Sequence, residues 1–302
     1  MIIILGPTAS GKTSLAVQLA YDFNGEIISA DSRQIYKGMD IGTGKDLGEY
    51  TYNNQKINYH LIDIINPSID YSVYRFKQDY ELAHQKIINK NKNVILCGGT
   101  GLYIESILLN YQMMDAPPNS VLRNKLSTYT LSELKNELLK INNDAFDADY
   151  HTSKRRIIRS IEILLNDKNA IIDMNMKNIF SNKALVIGIK IERADNLKSI
   201  NKRLLDRLNS GMIEEVENLI DSGISIERLK YFGLEYKFIG QYLDKEISYD
   251  NMVETLNISI NRFSKRQMTF FRRMEKRGIK IHWLDRSDYI KVHDLADQYY
   301  NK

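Results

Sequence analysis

The chain has one cysteine, Cys97, in 302 residues, which excludes an internal disulfide and any cysteine-built zinc module. Its five histidines, His60, His84, His151, His282 and His293, are scattered with no pair at metal-ligand spacing. They read as surface or satisfied core residues. No apolar run approaches the roughly 20 residues needed to cross a bilayer, and the apolar stretch behind Met1 is too short for a signal peptide. Internal repeats and low-complexity tracts are missing as well. What remains is ordinary globular material, 43% hydrophobic and 26% charged, long enough for one large domain or for a core with a smaller insert. The net charge of +4 hints weakly at a polyanionic partner. A cytoplasmic monomer with no membrane attachment is the expectation.

Against this plain background one stretch stands out. Gly6-Pro7-Thr8-Ala9-Ser10-Gly11-Lys12-Thr13 fits the phosphate-loop pattern G-x-x-x-x-G-K-[ST]. Ile2 to Leu5 before it reads as a buried strand, and Ser14 to Ala20 after it as a helix. Such a loop aims backbone N–H groups and the positive end of a helix dipole at one spot. Gly6 and Gly11 let the backbone approach an anion, Lys12 adds a positive charge, and the Thr13 hydroxyl suits a Mg²⁺ bridging two phosphates. The expected ligand is a di- or triphosphate.

Further strands are expected at Glu26–Ala30, His60–Ile64 and Asn93–Cys97, with helices at Tyr74–Asn89 and Leu102–Leu109 between and after them. That alternation predicts a parallel, doubly wound sheet. Around Asp115-Ala116-Pro117-Pro118 the pattern changes, and from there to about Asn178 only helices are legible, such as Leu131–Ile141 and Ser153–Leu165. Strand character resumes at Ala184–Ile189. Helices follow at Asn196–Asn209, Ile213–Asp221 and Asn251–Lys276, then a last short strand at Lys280–Leu284. The fold class is therefore α/β: a P-loop NTPase-like parallel sheet flanked by helices, with an all-helical insert. Residues 1–112 and 180–302 are assigned to the core and 113–179 to the insert.

Ligands of parallel sheets sit beyond the carboxyl ends of the strands. Three segments fall there: the phosphate loop, Asp31-Ser32, and Gly98-Gly99-Thr100. Asp31 has two readings, a cap on the following turn or a carboxylate able to take a proton from a nucleophile. Asp63 reads more readily as a loop residue than as a Walker-B-like metal ligand. Gly98-Gly99-Thr100 offers N–H groups and a hydroxyl to another phosphate oxygen, and Thr100 could equally cap the next helix. Basic residues gather in two places. Lys154, Arg155, Arg156 and Arg159 share a helix with the apolar Ile157 and Ile158; Arg262, Lys265, Arg266, Arg272, Arg273, Lys276, Arg277 and Lys280 crowd the late helix. Two such patches around a phosphate-binding rim favour a nucleic-acid ligand over a small molecule.

Taken together, these stretches resemble the tRNA dimethylallyltransferase family. The resemblance is carried by Gly6–Thr13, by the run Asp31–Thr43, by Gly98–Tyr103, by Ser264–Gln267 and by His282–Asp285. The Asp31–Thr43 run is the specific part, since kinases with the same loop do not have it. The resemblance implies dimethylallyl diphosphate as donor, held by the phosphate loop with Mg²⁺ at Thr13, and the N6 amine of adenosine 37 in tRNA as acceptor. It implies Asp31 as general base and Thr100 at the reacting centre. It places Asp31, Ser32, Arg33, Gln34, Thr100, Arg123, the stretch Arg155, Arg156, Ile157, Ile158 and Arg159, and Lys265, Arg266 and Gln267 at the tRNA. The insert would be the mobile domain that closes on the anticodon stem-loop. Where the family has an Arg that reaches the diphosphate, the matching position here is Lys230, expected to make that contact.

The competing readings are an adenylate isopentenyltransferase acting on free AMP, a small-molecule kinase using ATP, and a non-catalytic RNA-binding module. AMP would make little use of the basic patches. A kinase makes no use of the Asp31–Thr43 run.

Overall fold

The computed structural model describes residues 1–111, 113, 116–148, 150–167, 184–285 and 288–301. The chain divides into two compact units, Met1–Leu108 with Phe180–Lys302, and Leu109–Ile179. Asp115 and Asn178, the expected limits of the helical stretch, lie outside the described residues.

In chain order the larger unit begins β1 (Ile2–Leu5), α1 (Lys12–Asp22), β2 (Gly25–Ser29), a small hairpin of β3 (Thr51–Tyr52) and β4 (Gln55–Lys56), then β5 (Tyr59–His60), α2 (Val73–Ile88), β6 (Asn93–Gly98) and α3 (Gly101–Leu108). The smaller unit supplies α4 (Ser120–Ser127), α5 (Leu131–Ile141) and α6 (Lys154–Asn166). The larger unit resumes with β7 (Leu185–Lys190), α7 (Arg193–Asn209), α8 (Met212–Asp221), α9 (Ile226–Phe232), α10 (Leu234–Leu243), α11 (Tyr249–Lys276), β8 (His282–Asp285) and α12 (Tyr289–Tyr300).

Six parallel strands form one sheet in the order β5-β2-β6-β1-β7-β8. The central strand β1 explains the run Ile2-Ile3-Ile4-Leu5: all four side chains are fully buried because both faces of a parallel sheet are covered. Its register pairs Leu5 with Gly98, the last residue of β6, and with Gly188 of β7, so the chain leaves β1 level with the end of β6 and two residues before that of β7. The expected parallel, helix-flanked sheet is the one observed. One strand is shorter than expected: His60–Ile64 contributes only Tyr59–His60. Leu61 and Asp63 take left-handed backbone angles, φ 61° and 57°, and the Asp63 N–H turns to the Gln34 carbonyl at 3.1 Å. The segment binds the loop after β2 instead of extending the sheet.

Helix α11 carries a buried stripe of Met252, Leu256, Ile260, Ser264, Gln267, Phe271 and Met274, spaced three and four residues apart. Two members are polar. In the smaller unit, Leu126, Leu134, Leu138, Ile157, Ile161 and Leu164 form a separate core. A capping box between Thr130 and Glu133 starts α5. Buried Glu162 ties α4 to α6, accepting two bonds from the Arg123 guanidinium at 2.7 and 2.8 Å, one from the Asn119 N–H at 2.9 Å and one from Arg159 at 3.3 Å.

Glu26 of β2 is the corresponding buried carboxylate in the sheet. It accepts from Asn58 at 3.0 Å, Lys92 at 3.0 Å and Lys90 at 3.2 Å, and His60 Nε2 lies at 2.8 Å. Burial alone would raise its pKa, but the hydrogen bonds from Asn58, His60, Lys92 and Lys90 outweigh burial and hold it at about 2. A carboxylate depressed in this way stabilises the fold fully above its ordinary value of 4.5, and the contribution is lost as pH falls through about 2. Glu26→Gln is therefore expected to destabilise by about 1–3 kcal/mol at neutral pH. The gap from wild type should close between pH 4.5 and 2 when both are followed by urea unfolding. A gap that does not change with pH would show that the charge contributes nothing.

Candidate active site

The phosphate loop leaves β1, Asp31-Ser32 follows β2, and Gly98-Gly99-Thr100 closes β6. Because β6 lies between β2 and β1, the three segments leave three adjacent parallel strands at the same end. Gly11 sits at φ 81° immediately before α1, a left-handed angle that favours glycine, and Ala9 adopts φ 60°. Among the described residues, no acceptor takes the N–H groups of Ala9, Ser10, Gly11, Lys12 or Thr13. The Lys12 ammonium folds back to the Pro7 carbonyl at 2.9 Å. Burial lowers its pKa, Arg203 pushes the same way, and Asp31 and Glu49 pull against them. Ser10 Oγ is buried in the loop with no partner among the described residues, and Thr13 stands in the first turn of α1. The Thr13 hydroxyl, at the helix start beside N–H groups with no acceptor among the described residues, is a hard-oxygen donor of the kind that fits Mg²⁺ when phosphate oxygens complete its shell.

The loop is braced from behind by side chains far away in sequence. Gln267 of α11 accepts the Thr8 N–H on Oε1 at 2.8 Å and donates from Nε2 to the Gly99 carbonyl at 3.0 Å. One amide thus joins the loop after β1 to the loop after β6. Gly99 permits this approach, since a Cβ there would lie 2.3 Å from Gln267 Nε2. Asn196 of α7 donates to the Thr8 carbonyl at 2.9 Å and is held by the Ser264 hydroxyl at 2.6 Å. The guanidinium of Arg203, about two turns of α7 further on, donates to the Thr8 hydroxyl. Burial, reinforced by Arg207, brings that guanidinium down to about 10, so it remains a cation at neutral pH.

Asp31 caps the turn after β2: its Oδ1 accepts the Arg33 N–H at 2.8 Å and the Gln34 N–H at 3.4 Å. No described residue engages Oδ2. Capping and a free basic oxygen therefore coexist in one carboxylate. Thr100 uses its hydroxyl to accept the Ser32 N–H at 3.0 Å, and its own N–H goes to the Ala30 carbonyl at 3.1 Å. Neither group caps α3; both hold the turn after β2 against the end of β6. The rest of the Asp31–Thr43 run is wound around two charges, the buried Lys45 and the partly buried Glu215. Lys45 donates to the Tyr36 carbonyl at 2.7 Å and to Asp40 at 2.5 Å, and it pairs with Asp63. Glu215 accepts the N–H groups of Asp40, Ile41 and Gly42 at 2.7, 2.6 and 3.0 Å and the Tyr236 hydroxyl at 2.7 Å. Asp63 is thereby a structural counter-ion.

The other expected site residues have varied surroundings. Gln34 bridges Ser29 at 3.0 Å and the Gly44 carbonyl at 2.8 Å. Lys230 pairs with Glu246 at 2.8 Å. Arg123 and Arg159 converge on Glu162, Ile157 and Ile158 are buried in the core of the smaller unit, and Arg156 donates to the Tyr150 carbonyl at 2.8 Å. Arg155, Lys265 and Arg266 are exposed. The last two line a groove along α11 with Arg262, Arg272, Arg273 and Lys276. Cys97 is buried in β6, where burial pushes its thiol up to about 12, so it is not a nucleophile at neutral pH. Asn196, Arg203 and the bracing role of Gln267 were not read from the sequence. For Asn196 and Gln267 the signal was polar side chains recurring on an otherwise apolar stripe, at Ser264 and Gln267 in α11 and at Asn196 in α7; Arg203 carried no such signal.

These features define a class: a phosphate-loop α/β protein with a free carboxylate oxygen on the strand end beside the loop's neighbour. The profile of the IPP transferase family matches residues 34–274. The chain is 48% identical over 289 residues to tRNA dimethylallyltransferase 1 of Azobacteroides pseudotrichonymphae genomovar. CFP2, covering 94% of this chain and 92% of the relative. It is 47% identical over 287 residues to the protein of the same name from Parabacteroides distasonis, with the same coverage. Among solved structures, the full-length tRNA isopentenylpyrophosphate transferase of Bacillus halodurans is similar at a TM-score of 0.70 and 30% identity, covering 99% of this chain and 95% of that one. A eukaryotic dimethylallyltransferase acting on tRNA, at 23% identity and a TM-score of 0.78, shares the fold over 94% of this chain and 73% of its own. The chain belongs to the tRNA dimethylallyltransferase, or IPP transferase, family.

Gln267→Leu removes both ends of the brace and leaves the Thr8 N–H and the Gly99 carbonyl unpaired. It is expected to cost about 1–3 kcal/mol in urea unfolding and to weaken binding of inorganic diphosphate with Mg²⁺ roughly tenfold in calorimetric titration. Wild-type values in both measurements would remove Gln267 from the loop's support.

Proposed function

We propose that the chain transfers the dimethylallyl group of dimethylallyl diphosphate to the N6 amine of adenosine 37 in tRNA, releasing diphosphate. The observation that carries this reading is the pairing of free N–H groups from Ala9 to Thr13 with the unengaged Oδ2 of Asp31, on loops leaving strands separated only by β6. An anion site and a base on one rim suit a reaction in which an anion leaves as a proton is removed. Kinship with enzymes named for this activity supports the same reading.

The bond between the allylic carbon and the diphosphate oxygen breaks, and its electron pair leaves on the diphosphate. The loop N–H groups, Lys12 and Arg203 stabilise that charge in place, with no reorganisation needed as it develops. Asp31 Oδ2 takes the N6 proton as the C–N bond forms, because an exocyclic amine is a weak nucleophile until it loses that proton. The Asx turn at Arg33 and Gln34 and the Thr100 bond to Ser32 fix the direction of the carboxylate. Thr13, with Ser10 behind it, would hold Mg²⁺, which as a bound cation neutralises diphosphate charge. The acceptor adenine must leave its stack to reach Asp31, which favours a loop base over a paired one. Exposed Arg155, Lys265 and Arg266 supply charge for the RNA backbone. Ile157 and Ile158 act indirectly, by holding the helix that presents Arg155 and Arg156.

The test supplies radiolabelled dimethylallyl diphosphate and Mg²⁺ to the protein with unmodified tRNA in one tube and AMP in another. Label is expected in tRNA at adenosine 37 and absent from AMP; label in AMP alone would replace the tRNA reading. Asp31→Asn is expected to lower the rate by about 10²–10⁴-fold while inorganic diphosphate still binds. Full activity in that variant would remove Asp31 as the base. Arg203 sits at the loop while Lys230 is paired with Glu246, so the two positions should behave differently. Arg203→Ala is expected to raise the KM for the donor and lower kcat, and Lys230→Ala to change neither; the opposite pattern would restore Lys230 to the diphosphate.

A further inference from the structure

Most of the charged clusters outside the rim are satisfied within the protein. Glu26, Glu105, Glu162 and Glu215 each meet their cations or donors, and the Lys45 cluster is closed on itself. Tyr231 is different. It occupies the last turn of α9 with 52% of its surface exposed, beside the buried Phe232, which packs against Tyr36 at 4.8 Å. Two guanidiniums attend its ring: Arg228 at 4.6 Å from the centroid and Arg33 at 5.6 Å.

Each of these arginines is fixed. Arg228 donates to the Pro67 carbonyl at 2.7 Å, to the Ile69 carbonyl at 2.8 Å and to Asp70 at 2.5 Å, so it serves the ring as a rigid plane and has little left to offer a phosphate. Arg33 donates to the Tyr231 carbonyl at 3.3 Å, and no carboxylate among the described residues pairs with it. Its own N–H is bound by Asp31 Oδ1. The Asp31 turn and the exposed ring are therefore connected through one side chain.

We propose that the Tyr231 ring is a stacking platform for an unpaired RNA base, the nucleotide next to the adenosine that enters at Asp31. The inference rests on the reading of the chain as an enzyme acting on an anticodon loop. A base taken out of its stack leaves its neighbours with an uncovered face, and an exposed aromatic ring held in place replaces that contact. The arginines favour this occupant over a protein segment. Arg33 lies over the ring with its guanidinium carbon 5.6 Å from the centroid and has no carboxylate partner among the described residues, so it adds a positive charge beside the platform that suits the phosphate between the two nucleotides. Base stacking also tolerates any base, so the platform would add affinity without adding sequence preference.

The experiment uses the full chain and anticodon stem-loops carrying 2-aminopurine immediately before or immediately after the acceptor adenosine. Emission from one of the two bound loops is expected to be lower with wild type and with Tyr231→Phe than with Tyr231→Leu. Tyr231→Leu should raise the stem-loop Kd by about tenfold, while Tyr231→Phe stays near wild type. Thermal melts of both variants control for folding, and donor binding should be unaffected. Equal emission in all three proteins at both positions, or a Phe variant that fails like Leu, would overturn the platform. If wild type labels the loop from dimethylallyl diphosphate while emission is equal, the platform falls and the transferase reading stands. If wild type neither binds nor labels the loop, both fall.

Discussion

A loop can bind an anion through its backbone only if its N–H groups are left unused inside the protein and the loop nevertheless keeps its shape. The first requirement is met by the segment from Ala9 to Thr13, whose N–H groups have no acceptor among the described residues. The second cannot then be met from within the segment. It is met at Thr8, where the N–H, the carbonyl and the hydroxyl are held by Gln267, Asn196 and Arg203 respectively. The rest of the larger unit is arranged to deliver those three side chains. Helices α7 and α11 pack with their polar members turned toward the end of β1, and Ser264 locks one to the other.

The same economy of donors governs the turn after β2. Asp31 holds its own turn with one oxygen and keeps the other available, so its role as a cap and its proposed role as a base do not compete. The long polar run that follows is poor in apolar residues and cannot be held by burial alone. It is held by charge, the buried Lys45 from one side and the partly buried Glu215 from the other. A buried ion costs desolvation and contributes little net stability, but it tolerates only one arrangement of its partners. That constraint is what a loop carrying reactive groups needs.

Much of this was legible in the chain. The phosphate loop was visible because its constraints are local: glycine where the backbone must be left-handed or bare, lysine and threonine at the helix start. The strands β1 and β6 were visible because a parallel sheet buried on both faces demands apolar runs, and β2 was visible through Ile27-Ile28 although it also buries Glu26 and Ser29. The short β5 was misjudged because Leu61 and Asp63 are turned by partners elsewhere, the Gln34 carbonyl and Lys45. The pairing of Arg123 and Arg159 was not legible because their shared counter-ion Glu162 is many residues from Arg123, although only three from Arg159. Lys230 is the motif position at which the resemblance implies a diphosphate contact, and in this structure it pairs with Glu246. The cation actually against Thr8 is Arg203, and a helix of ordinary composition gave no local sign of it.

The sequence by itself determined the phosphate loop, the alternation of β1, β2, β6 and β7 with their helices, the presence of a helical segment between α3 and β7, and the family. Each of these depends on neighbours within a few residues or on a periodicity that a single element must obey. The β3–β4 hairpin and helices α9, α10 and α12 were not among its expectations. Only the tertiary structure decided which polar side chains support the loop, which carboxylate oxygen stays free, and which basic residues are already paired. Those outcomes depend on groups up to 259 residues apart, such as Thr8 and Gln267. Hydrogen bonds and ion pairs are satisfied in space, and sequence distance places no limit on where a partner comes from.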